Sequence, residues 1–86
     1  MPEISRFYGI VIKIFYNDHP PPHFHAEYGG EHMLVNIDTL AVIAGKLTPR
    51  ATGLVVEWAS QHQAELHTVW GQARNLEPLD RINPLF

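Results

Sequence analysis

Two adjacent glycines leave this chain few choices. Gly29 and Gly30 stand between "HFHAEY" and "EHMLVNI", two runs in which apolar and polar residues alternate. A Gly-Gly pair supplies the positive φ of a two-residue turn without steric cost, so the runs read as the arms of an antiparallel hairpin. The turn then dictates the pairing. Tyr28 falls opposite Glu31, Glu27 opposite His32, Ala26 opposite Met33, His25 opposite Leu34, Phe24 opposite Val35 and His23 opposite Asn36. Phe24, Ala26, Tyr28, Met33, Val35 and, one step beyond, Ile37 share one face, while His23, His25, Glu27, His32 and Asn36 share the other. A slip of one residue would mix the two sets, so the apolar pattern selects this register.

The hairpin thereby gathers imidazoles. His23 and His25 lie two residues apart on one strand face, and His32 is diagonal to His25 at a backbone separation of about 7–8 Å, a gap that imidazole side chains can close around one ion. Asp18 and His19, in the preceding "YNDHPPP" loop, and Glu27 offer further ligands. Neutral imidazole with carboxylate suits zinc or another divalent transition metal, which makes His19, His23, His25 and His32 the candidate metal set. No other cofactor is indicated. The same groups also suit metal-free acid–base work, with His23, His25, Glu27 and His32 as candidate catalytic residues. Imidazole titrates near neutrality, and a Glu27–His32 pair would hold one ring in a defined tautomer. A small hydrolase or endoribonuclease of this kind also needs a cation to steady phosphate, and Lys13 is the obvious one nearby. Against both chemistries stands a plain fact: the outer face of a half-covered sheet is polar in any case, and histidine is ordinary there.

The rest of the chain frames this hairpin. Residues 7–16, "FYGIVIKIFY", are rich in β-branched and aromatic side chains and predict one long strand, with Ile10, Ile12, Ile14 and Tyr16 on one face. Prolines 20–22 make a stiff, extended connection. "IDTL" predicts a turn and "AVIAGKL" a short further strand. After Leu47 the apolar period changes from two to 3.6. Thr48 suits an N-cap and Pro49 a first helical position. Residues 49–74 then predict one long helix, bent or at most divided into two nearly collinear pieces. Ala51, Leu54, Val55, Trp58, Ala59, Leu66, Val69 and Ala73 form its apolar stripe. Gly53 and Gly71 are its expected weak points. His62 falls inside the stripe, where a histidine is ordinarily buried, neutral and hydrogen-bonded; a functional role requires it to reach the "DHPPPHFH" segment. The tail "LEPLDRINPLF", carrying Leu79, Ile82, Leu85 and Phe86, is expected to lie back across the domain or along a sheet edge. The fold class that follows is α+β: a small antiparallel sheet of three to four strands with one long C-terminal helix packed on one face, in a single domain spanning residues 1–86.

Composition narrows the partners. The formal charge is −3 and the six Lys and Arg residues are scattered, so the chain alone lacks the basic patch that draws nucleic acid. With no cysteine there is neither disulfide nor thiolate chemistry, which suits a cytoplasmic location. The N-terminus shows no basic segment followed by an apolar one, and the apolar runs are too short to span a bilayer, so no secretory signal and no membrane association are expected. A chain of this length buries only about 60–65% of its unfolded surface, so a homodimer or another partner would thicken a thin core.

The segments "PEISRFYGIVIKIFYNDHPPPHFHAEYGG", "GKLTPRA", "VVEWASQHQAEL" and "PLDRINPL" closely resemble the domain of unknown function 4160 family of small prokaryotic proteins, almost end to end. The resemblance implies a bacterial protein often encoded beside a second small protein, of the domain of unknown function 2442 family. It therefore implies a protein-interaction component of a two-gene module of toxin–antitoxin or regulatory type, with a small cognate protein encoded nearby as partner. The family pattern includes the positions here occupied by Asp18, His19, Pro22, His23, Phe24, His25, Trp58 and His62, and it brings no established activity.

Overall fold

The hairpin at Gly29-Gly30 forms the middle of the sheet. A computed structural model describes residues 2–85. Its strands are β1 (Glu3–Phe7), β2 (Ile10–Lys13), β3 (His23–Tyr28), β4 (Glu31–Asn36) and β5 (Val42–Lys46), and its helices are α1 (Pro49–Ser60) and α2 (Gln63–Arg74). The strands form one antiparallel meander in the order β1-β2-β3-β4-β5. The six pairs from His23↔Asn36 to Tyr28↔Glu31 are those the turn dictates, and both turn glycines have positive φ.

Two expectations need correction. The sheet has five strands among the described residues, not three or four, because residues 7–16 are not one strand. Tyr8 and Gly9 both adopt positive φ, 51° and 80°, and fold the segment into a second tight hairpin that pairs Phe7 with Ile10. Apolar and aromatic residues on both sides of "YG" hide the turn from a reading by propensity. Nor is there one long C-terminal helix: α1 and α2 are separate helices of 12 residues each. The Gln61 and His62 amides turn back to the carbonyls of Trp58 and Ala59, at 3.1 and 3.0 Å, which closes the end of α1 in i−3 fashion. His62, at φ −132°, leaves the helical conformation, and its carbonyl accepts the Leu66 amide at 2.9 Å to start α2. Gly53 and Gly71, expected to mark the weak points, stay inside their helices.

The core lies between the sheet and the helices. Ile10, Ile12, Phe24, Ala26, Met33 and Val35 are buried in one cluster with Ala51, Val55, Trp58, Ala59, Leu66, Val69 and Ala73. Trp58 stands at its centre, against the rings of Phe7 and Phe24 at centroid separations of 5.3 and 5.8 Å. Tyr28, counted with the apolar face, is exposed at the rim. The tail returns along β1: the Ile82 amide donates to the Ile4 carbonyl at 2.8 Å, and Ile82 is buried. Leu79 and Leu85 pack against the core as well, while Phe86 lies outside the described residues. The two sheet edges therefore differ. β1 is lined by the tail, whereas every residue of β5 is exposed. Among the described residues no helix is long and apolar enough to cross a membrane.

Candidate functional site

The site grows from the loop between β2 and β3. Asn17 takes positive φ, which asparagine tolerates better than most residues, and turns the chain so that Asp18 points back over β3. The His19 amide donates to Asp18 Oδ1 at 2.9 Å, which leaves Oδ2 to face the strand. His23 and His25 emerge from the same face of β3, as period two requires, and each brings Nε2 to 3.0 Å from that one oxygen. Asp18, His23 and His25 each offer a ligand atom, all three within 4.8 Å of one another.

The proline run orients the buried member of the set. His23 is 5% exposed, and its Nδ1 lies 2.8 Å from the Pro21 carbonyl. A carbonyl can only accept, so Nδ1 donates a proton to Pro21, and Nε2 is the nitrogen that faces the Asp18 carboxylate. Trp70 of α2 covers the ring at 5.3 Å. His25 is held otherwise. Its Nδ1 lies 2.9 Å from Nε2 of His32 across the hairpin, and Phe15 meets its ring edge-on at 4.6 Å.

Electrostatics follow from this packing. Burial lowers the His25 pKa below the ordinary imidazole value; the Asp18 hydrogen bond opposes it, and the charges of His23 and His32 reinforce it. For Asp18 burial is again the largest single effect and pushes its pKa up. The His25 hydrogen bond, the His19 amide and the charges of His23 and His25 together outweigh it, so the carboxyl sits below its ordinary value.

The other candidates are placed elsewhere. His19 contributes its backbone amide and keeps an exposed side chain. His32 touches His25 but lies outside the three-ligand cluster. Glu27 pairs with Lys13 Nζ at 3.1 Å rather than with His32. His62 is half-buried against Trp58, with Nδ1 2.6 Å from Oε1 of Glu65 in the first turn of α2. His67 reaches Asp38 Oδ1 at 2.6 Å. Arg74 and Trp70, both on α2, were not legible as neighbours of the loop. Arg74 Nη1 donates to the Asp18 backbone carbonyl at 3.4 Å, across 56 residues of sequence, and no local pattern announces such a contact.

Residues 9–71, well over half of the chain, match the family described as Domain of unknown function (DUF4160), and the chain belongs to that family. No curated protein and no solved structure matches it.

Proposed function

For this member of the domain of unknown function 4160 family we propose a metal-binding role, with Asp18, His23 and His25 holding one divalent transition metal ion. The observation that carries it is the convergence of two Nε2 atoms on Asp18 Oδ2 at 3.0 Å, with His23 Nδ1 already committed to a backbone carbonyl. An ionised carboxylate only accepts, so each facing nitrogen needs a proton or a shared cation. With Nδ1 of His23 donating to Pro21, its Nε2 meets the carboxylate through a second proton or through a shared ion. Bonds of about 2.0–2.1 Å place neighbouring ligand atoms roughly 3.0–3.4 Å apart, and each imidazole Nε2 already stands at 3.0 Å from the carboxylate oxygen. Donation of the second ring nitrogen to a carbonyl or another acceptor is the usual support of a metal-bound histidine, and Pro21 and His32 supply it here. Two imidazoles and a carboxylate suit zinc or ferrous iron and leave positions open for another ligand.

Native mass spectrometry of untagged protein, never exposed to a nickel column, tests this. The expected spectrum shows one zinc or iron per chain, lost in His25→Ala and Asp18→Asn variants that keep the wild-type circular dichroism. Apo chains that take up neither metal when it is supplied would end the metal reading.

A second reading has one observation in its favour. β5 is an exposed edge strand, with Val42 and Ile43 45% and 46% exposed, while the opposite edge is lined by the chain's own tail. An unpaired edge with apolar side chains can accept an added strand. We infer from it an interaction component of a two-gene toxin–antitoxin-like or regulatory module, whose cognate small protein contributes an extended segment to β5. Co-expression with the neighbouring gene product should yield a complex that Ile43→Lys weakens; a complex indifferent to that change would place the interface elsewhere.

A further inference from the structure

We propose that the ion held by Asp18, His23 and His25 takes a phosphate monoester or inorganic phosphate as its outside ligand, and that Arg74 is the residue that pairs with it. This rests on the metal reading above. Three protein ligands leave the ion's remaining positions open, and the group that fills them must match what surrounds them.

Arg74 ends α2, and its guanidinium reaches the loop at Asp18, the residue that also supplies the carboxylate ligand. Its 3.4 Å bond to the Asp18 carbonyl is long and uses one of five N–H donors. Among the described residues Arg74 forms no ion pair. Lys13, the cation suggested by the sequence, is neutralised by Glu27. A divalent ion offset by one carboxylate leaves one positive charge, and Arg74 adds a second within the span of a single residue. A phosphate monoester carries about −1.5 to −2 charges near pH 7, which matches both. A carboxylate or phosphodiester, with one charge, does not. The guanidinium fork also fits two phosphate oxygens at once, which an ammonium cannot do. Phe15 and Trp70, flanking His25 and His23, border the site with apolar surface that strengthens charge pairing at its margin.

Zinc-loaded, desalted protein is titrated calorimetrically with inorganic phosphate, and separately with acetate and with dimethyl phosphate, two monoanions. One phosphate should bind per zinc, at least about tenfold more tightly than either monoanion. Arg74→Gln should weaken phosphate by about tenfold or more, and Arg74→Lys should restore part of it, with zinc affinity unchanged in both. Equal affinity for a monoanion, or equal phosphate affinity in wild type and Arg74→Gln, overturns the proposal while the metal site stands. A chain that takes up no zinc fails at the loading step, and both readings fall together.

Discussion

Asp18 Oδ2 and the two imidazoles that face it define a group of charges the fold itself perturbs. Both Asp18 and His25 have pKa values below their ordinary ones, so in each case the folded state binds fewer protons than the unfolded chain. The sign is therefore the same for both: stability falls as pH falls. For His25 the loss begins below about pH 6.5, where the unfolded imidazole protonates and the folded one resists; for Asp18 it begins below about pH 3.9. The urea midpoint of metal-free protein, measured from pH 7.5 to 5, should drop more steeply in wild type than in His25→Gln. Parallel profiles would show that His25 is not desolvated in the folded state.

At the scale of single elements, glycine marks where the backbone has no alternative. Gly45 in β5 takes φ +69°, and a Cβ there would strike the His32 carbonyl of β4. Gly45→Ala combines left-handed strain with a backbone clash and should destabilise by at least about 2 kcal/mol, read as a shift in the urea midpoint. Gly53 is the opposite case: helical, exposed, with open space around its Cα. Gly53→Ala should stabilise by about 0.5–1 kcal/mol. If both substitutions moved stability in the same direction, the assigned backbone of one element would be wrong. The break between α1 and α2 had a sequence trace in "SQHQAEL", where Glu65 stands three residues after His62 in the spacing of a capping box. Histidine instead of serine or threonine conceals it, and the apolar stripe runs on across the gap because both helices cover the same core.

For the molecule as a whole, Trp58 ties three parts together. It packs on Phe7 of β1 and Phe24 of β3, and its Nε1–H donates to the Asn83 carbonyl of the tail at 2.8 Å. Trp58→Phe keeps an aromatic in the core but removes the donor that reaches the tail and leaves a gap beside it. It should lower stability by about 1–3 kcal/mol and speed hydrogen exchange at the Ile82 amide, which bonds to Ile4. Unchanged exchange at Ile82 would mean that Trp58 does not hold the tail. The sequence by itself determined the central hairpin, its register, the histidine-bearing face and the apolar stripe of the helices, because these depend on side-chain period and on one turn between adjacent strands. It could propose Asp18 as one ligand among several; only the tertiary structure set it between His23 and His25, sent Glu27 to Lys13 and brought Arg74 beside the loop. Such contacts hang on where a proline-stiffened loop and a distant helix end come to rest. Packing across the whole core decides that position, and no local period encodes it.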